Sequence, residues 1–318
     1  MIVLWGLTGD GPFDAVRQAL ARRGARVALI DQRELLATEV ELSLTPELGA
    51  TATVEGERID LNRACAAYMR TYDARKLPSV IEAGPGSRVA QAGLLVEEAL
   101  LLWLELTQAR VVNRPSKMAS NNSKPYQLEI LRASGFDVPA TLVTTDSDEA
   151  RRFWTDSGAV VYKSLSGVRS VVARLSDVHI DRFDDLSWCP TQFQRFVPGR
   201  DHRVHVVGDE LFACEVLSDA DDYRYAARTG APAELRACEL PIDVAERCFA
   251  LSRALSLPLA GIDLRRAPDG RWFCFEVNPS PGFTYYEAHT GQPIADAIAG
   301  YLVSADTPGG GQAIDAMR

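Results

Sequence analysis

Cysteine, histidine and net positive charge are all in short supply in this chain. The six cysteines, Cys65, Cys189, Cys214, Cys238, Cys248 and Cys274, are scattered with no C-x-x-C pair. Neither a zinc ribbon nor a disulfide framework is expected, and the thiols read as reduced core residues. Among the four histidines, His202 and His205 come closest to a metal-ligand spacing. They lie in an apparent strand, where a separation of three sends the two rings to opposite faces. Lys and Arg number 34 against 43 Asp and Glu, a net charge of −9. Neutralising nucleic-acid phosphates requires clustered cations, so no nucleic-acid partner is expected; Arg22-Arg23 and Arg151-Arg152 are too short to change that. A membrane-spanning run is also missing, since the most apolar stretch, residues 93–106, carries Glu97, Glu98 and Glu105 and reads as a buried helix. The N-terminal Met1-Ile-Val-Leu-Trp5-Gly has no basic leader and reads as a first strand, not a secretory signal.

What is present is the ordinary balance of a packed globular protein, 47% hydrophobic and 24% charged. A cytoplasmic protein is expected, and 318 residues suffice for two or three cooperating units without requiring a partner chain, although a homo-oligomer is compatible with that length. Residues 1–113 alternate as a small α/β domain: strands at 2–5 and 26–30, a helix at 13–23, short strands around the Glu55-Gly56-Glu57 turn, a long helix at 88–107 and a strand at 110–113. It lacks the glycine-rich dinucleotide fingerprint. The polar, proline-broken residues 114–123 mark a connection. Beyond it, residues 114–303 predict a mixed α+β unit. Helices fall at 124–133, 147–155, 244–256 and 293–302, and strands at 138–145, 159–163 and 170–174. Strands at 191–197, 203–207 and 211–217 follow closely enough to suggest one antiparallel sheet. A division near 190, into 114–190 and 191–303, follows from that change of pattern. Residues 304–318, with Pro308-Gly-Gly-Gly311, read as a flexible tail.

The hairpin spanning residues 259–277 carries most of the chemistry. Gly261-Ile-Asp263-Leu-Arg265 and Phe273-Cys-Phe275-Glu276-Val277-Asn278 flank the turn Ala267-Pro268-Asp269-Gly270. Strand side chains alternate faces, so Glu276 and Asn278 share one. If the loop holds an even number of residues, Asp263 joins them, diagonal to Glu276, while Ile262, Leu264, Phe275 and Val277 face the core. Three hard oxygen donors would then suit Mg²⁺, which keeps waters and shares its shell with substrate phosphates. A half-exposed hairpin with ordinary outward polar residues is the plain alternative. The rigid loop Asn278-Pro-Ser-Pro-Gly-Phe283, needless on a surface turn, favours the metal site.

Glu276-Val-Asn278-Pro-Ser-Pro-Gly-Phe283 preceded by Gly261-Ile-Asp263-Leu resembles the metal-binding signature of RimK-type ATP-grasp ligases. Further matches occur in order: Lys124 ahead of Gly135-Phe-Asp-Val-Pro139, Lys163 ending a strand, Phe193-Gln194-x-Phe196-Val197, Gly199-x-Asp201-x-Arg203-Val204 and Glu287-x-x-Thr290-Gly291. The resemblance implies two α+β subdomains clamping ATP, behind a small N-terminal α/β domain. It implies that Lys124 and Lys163 contact ATP phosphates, and that Gln194, Arg195, Phe196 and Val197 form the adenine-facing hinge. Asp201 joins the nucleotide contacts, and Arg203 lies beside the transferred phosphate or the substrate carboxylate. Asp263, Glu276 and Asn278 hold Mg²⁺, with Mn²⁺ as a substitute. Two departures stand out. The loop after Lys163 has a single glycine, with Arg169 in a position to compensate, and Arg195 replaces an acidic residue at the hinge. Ser218-x-x-x-Asp222-Tyr223-Arg224 resembles an Asp-aromatic-Arg substrate element of some peptide-modifying relatives, against the alternative of a solvated acidic loop with Asp219 and Asp221.

The reaction implied is attack of a carboxylate on the γ-phosphate of ATP, giving an acyl phosphate and ADP, then amide formation with an amine. Three readings follow: a ligase of small molecules, a ligase acting on peptides or proteins, and a nucleotide-binding regulator without turnover. The loop after Asn278 lacks the Asn-Pro-x-Gly-Gln form of macrocycle-forming peptide ligases, which favours simple amide formation. The full set of Asp263, Glu276 and Asn278 disfavours the regulator.

Overall fold

The computed structural model describes residues 1–164, 172–217 and 234–306. Arg169, Asp222, Arg224 and the tail from residue 307 lie outside them.

The N-terminal layer is a parallel sheet in the order β2-β1-β6-β7, from β1 (Ile2–Gly6), β2 (Val27–Asp31), β6 (Ala66–Arg70) and β7 (Arg110–Val112). Helix α1 (Gly11–Arg22) begins where the Asp10 carboxylate accepts from the Phe13 amide at 3.2 Å, with Pro12 in the first turn. Strands β3 (Thr38–Ser43), β4 (Gly49–Val54) and β5 (Glu57–Asp60) form a separate antiparallel meander, turning at Glu55-Gly56. Helices α2 (Pro78–Ala83) and α3 (Arg88–Leu106) precede β7. Strand β6 was not anticipated. Its Ala-Ala-Tyr-Met is buried on both faces, so it has no period-two alternation to reveal it.

The connection at 114–123 holds α4 (Pro115–Met118) and a short 3-10 turn before α5 (Lys124–Ala133). A four-stranded antiparallel sheet follows in the order β10-β9-β11-β8, made of β8 (Thr141–Thr144), β9 (Val160–Ser164), β10 (Ala173–Arg174) and β11 (Thr191–Arg195). With α6 (Ser147–Ser157) and α7 (Asp177–Ile180) beside it, this sheet has its own small core around Ala150, Val160, Phe183 and Phe193. The second antiparallel sheet runs β14-β13-β12-β15-β16, from β12 (Arg200–Val207), β13 (Glu210–Leu217), β14 (Glu234–Cys238), β15 (Leu259–Arg266) and β16 (Trp272–Asn278). One of its faces packs α5 and α8 (Ile242–Ala254) through Leu128, Leu131, Val244 and Leu251. Its other face shares a core with α9 (Thr284–Thr290), α10 (Ile294–Val303) and the N-terminal layer, where Phe13, Tyr68, Phe283 and Ile298 meet. No helix among the described residues is long and apolar enough to cross a membrane.

One strand joins a different sheet from the one expected. Thr191–Arg195 pairs with β8 and β9, not with β12, and so belongs with the first sheet and not at the head of 191–303. Val197-Pro-Gly199 redirects the chain between the sheets: Gly199 has φ +147 and lies against the Arg266 carbonyl, where a Cβ would collide. His202 and His205 do take opposite faces, the first against Trp272 at 4.7 Å and the second against Tyr286 at 5.0 Å.

Candidate functional site

The β15–β16 hairpin sets the site. Arg266 pairs with Trp272, which leaves residues 267–271 in the turn, an odd number. By itself that count would set Asp263 opposite Phe275 and send Glu276 to the other face. A β-bulge beyond Asp263 resets the register, so that Asp263 pairs directly with Glu276 and Gly261 with Asn278. The expected sharing of one face therefore arises through a different device, and Asp263 lies across from Glu276, not diagonal to it. The bulge also displaces Phe275. Expected in the core, it is half-buried at the edge of a cleft, and Cys274 fills the core position.

Two reciprocal ion pairs cross from β12 to β15. Asp201 faces Arg265 and Arg203 faces Asp263. Arg265 donates to both carboxylate oxygens of Asp201, at 2.6 Å and 2.8 Å, and to the Val197 carbonyl at 2.8 Å. Its guanidinium also lies over the rings of Phe196 and Phe275. This fork-to-fork geometry already occupies Asp201, the expected nucleotide contact. Arg203, buried, bonds Asp263 and spans Gly261, whose missing side chain makes the room: a Cβ there would meet Arg203 and come within 2.6 Å of Pro281. Its Nε points at His205 Nε2, 3.5 Å away.

His205 is buried, and burial together with the Arg203 charge holds its pKa well below the ordinary 6.5, against a hydrogen bond with the Gly282 backbone that raises it. A depressed folded-state pKa gives stability that is present above 6.5 and lost as pH falls, because the unfolded chain takes up a proton that the native imidazole refuses. Acidification from pH 7 toward 5 is expected to destabilise the fold. His205→Gln is expected to flatten that slope by up to about 1.36 kcal/mol per pH unit. Unfolding free energies of parent and variant across this window check it; parallel profiles would mean that His205 is protonated in the native state. Burial also pushes the Cys214 and Cys248 thiols up to about 12 and raises Cys274 well above the ordinary thiol range, which disfavours a thiolate nucleophile at all three.

A cleft of about 750 Å³, open mouth included, lies between the two antiparallel sheets. It gathers Lys163, Gln194, Arg195, Phe196, Val197, Asp201, Asp263 and Glu276, eight of the residues singled out from the sequence. Arg203 lies behind Asp263, Asn278 stands next to the Glu276 position on the hairpin face, and Lys124 opens α5; none of the three lines the cleft. At the hinge, the Arg195 amide donates to the Ala140 carbonyl and the Phe196 amide to the Ala159 carbonyl, so these two donors are already engaged. Arg265 and Phe275 were missed. Arg265 had a legible signal, since it follows Asp263 by two along β15 and shares its face; Phe275 had none, because only the bulge turns it outward.

Asp263, Glu276 and Asn278 offer two carboxylates and an amide oxygen at neighbouring register positions, a donor set suited to a hard cation completed by phosphate oxygens. Among the described residues no group of three His, Cys, Asp or Glu could hold a metal alone, so the amide and the nucleotide would have to supply the rest.

Residues 121–302 match the family model of the RimK-like ATP-grasp domain. A ribosomal protein bS6--L-glutamate ligase of Escherichia fergusonii is 29% identical over 256 residues, covering 76% of this chain and 83% of that one. A probable alpha-L-glutamate ligase of Sodalis glossinidius is 27% identical over 279 residues, 80% and 91% of the two chains. The ATP-grasp ligase PsnB, solved with a phosphomimetic variant of minimal precursor, Mg and ADP, superposes with a TM-score of 0.80 at 25% identity over 96% of this chain and 98% of that one. A Chryseobacterium gregarium RiPP-associated ATP-grasp ligase, solved with ADP and a leader and core peptide, shares the fold with a TM-score of 0.82 at 23% identity, over 96% and 97%. The family match covers more than half of the chain and includes both sheets that wall the cleft, and the protein belongs to the RimK-like ATP-grasp family of ligases.

Proposed function

We propose that the protein is an ADP-forming carboxylate–amine ligase of the cytoplasm, with a peptide or protein as its carboxylate substrate. The observation that carries the reading is the direct pairing of Asp263 with Glu276 at the wall of a cleft that also holds Lys163. A carboxylate oxygen attacks the γ-phosphorus, the bond to the bridging oxygen breaks and ADP leaves; an amine then attacks the acyl carbonyl, and phosphate departs. Lys163 neutralises phosphate charge, Phe196 and Val197 flank the base, and Arg203, behind Asp263, aims that carboxylate into the cleft. When bound, Mg²⁺ held by Asp263, Glu276 and Asn278 supplies charge neutralisation at the β- and γ-phosphates, with Mn²⁺ as its substitute. Arg169, Asp222 and Arg224 keep their proposed phosphate and substrate roles. The peptide or protein carboxylate substrate is supported by relatives named for a ribosomal protein or solved with a leader and core peptide.

Hydroxylamine in place of the natural amine is expected to trap a hydroxamate in step with ADP release when the correct carboxylate is supplied. A panel should include amino acids, peptides ending in Glu, and small diacids. Turnover restricted to the small acids would move the substrate to the small-molecule class. Tight ATP binding without ADP formation across the whole panel would make the protein a nucleotide-binding regulator instead.

A further inference from the structure

The loop that follows Asn278 is anchored by a side chain from the N-terminal layer. Pro279 and Pro281 have no N–H, and the Ser280 amide is spent on the Asn278 Oδ1 at 2.9 Å. The carbonyls of the loop therefore need donors from outside. Asn113, just past β7, donates to the Pro279 carbonyl. Arg70, the last residue of β6, donates through Nη1 to the Ser280 carbonyl at 3.2 Å, the Ser280 hydroxyl at 3.0 Å and the Pro281 carbonyl at 3.0 Å. Arg70 is itself aimed. Its Nε bonds Asp10, the N-cap of α1, whose other oxygen accepts from the Tyr72 hydroxyl at 2.8 Å. Side-chain exposures of 13% for Arg70 and 7% for Asp10 leave the pair little solvent to compete with these bonds.

An amide ligand holds a cation only if its oxygen, not its nitrogen, faces the ion, and Asn278 does not control that by itself. The Ser280 N–H does, because it binds Oδ1 and leaves that oxygen's second lone pair directed elsewhere. The Ser280 backbone is in turn held by Arg70. We propose that Arg70 is a positioning residue for the cation ligand Asn278, so that the N-terminal layer sets the affinity of the nucleotide site for its divalent ion. The inference rests on the assignment of Asn278 to the cation. Removing such supporting partners costs about 10- to 100-fold in metal affinity.

The test is a calorimetric titration of Mn²⁺ into the full-length protein at saturating ADP, beside ADP binding in EDTA. Arg70→Lys keeps the positive charge but has one nitrogen, which cannot bond Asp10 and reach the loop acceptors at the same time as the Nε and Nη1 of arginine do. It is expected to weaken Mn²⁺ about tenfold, to raise the Mg²⁺ needed for half-maximal turnover by a similar factor, and to leave ADP binding in EDTA unchanged. Asp10→Asn keeps a competent helix cap and every Arg70 donor but loosens their aim, with an expected weakening of about threefold; it decides the matter if Arg70→Lys fails to fold. Parental Mn²⁺ affinity in the folded variants would overturn the proposal, as would equal losses with and without the cation, which would mark a general packing role. If the parent itself binds ADP identically with Mn²⁺ and with EDTA, the assignment of the cation site falls instead.

Discussion

Glu276→Gln is expected to lower ADP formation by about two to four orders of magnitude, because each 1.36 kcal/mol of lost transition-state stabilisation is tenfold in rate. Gln keeps the size and one carbonyl oxygen but discards the charge that would oppose the cation. The fold is expected to survive: Glu276 is half-buried at the cleft wall, and substitutions outside the core rarely shift stability by more than about 0.5 kcal/mol. Asp269→Asn is the matched control. Asp269 is exposed in the turn of the same hairpin, where it accepts from the Arg271 amide at 3.1 Å and pairs with the Arg271 side chain at 2.8 Å. Its loss is expected to leave turnover within a fewfold of the parent. Equal behaviour of the two variants in an ADP-release assay would reduce the hairpin to a structural element.

Asp201→Ala is expected to destabilise the protein by about 3 kcal/mol, since it strands Arg265 in a site that is only 13% exposed. Combining it with Arg265→Met is expected to restore most of that loss, because the apolar side chain packs against Phe196 and Phe275 and leaves no unpaired charge. Denaturant unfolding of both single variants and the double variant closes the cycle. If Asp201→Ala instead weakened ATP binding with no change in stability, Asp201 would be a nucleotide ligand and the Arg265 pair incidental.

That residues 259–278 form a hairpin, that Glu276 and Asn278 share a face, and that His202 and His205 cannot meet all follow from period-two alternation, which every strand carries in its own sequence. The ordered spacing from Lys124 to Gly291 likewise marked the family before any coordinate. Strand β6 was invisible because a strand buried on both faces has no alternation. Thr191–Arg195 was assigned to the wrong sheet because strand pairing is a contact between distant segments, and closeness along the chain is a poor guide to it.

Sequence by itself thus determined the alternation of side chains within each strand, and the tertiary structure decided which of them face the cleft and meet. Residues 267–271 would have turned Asp263 and Glu276 to opposite faces had the bulge at Phe275 not restored the register; beside it Cys274 packs into the core and Arg265 lies over the Phe275 ring. Asp201 reads as a free ligand in one dimension and is half of an ion pair in three, because β15 lies antiparallel to β12 with Arg265 directly across. The physical reason is the same in both cases: side-chain alternation is local, whereas register is set jointly by two strands and everything packed on them.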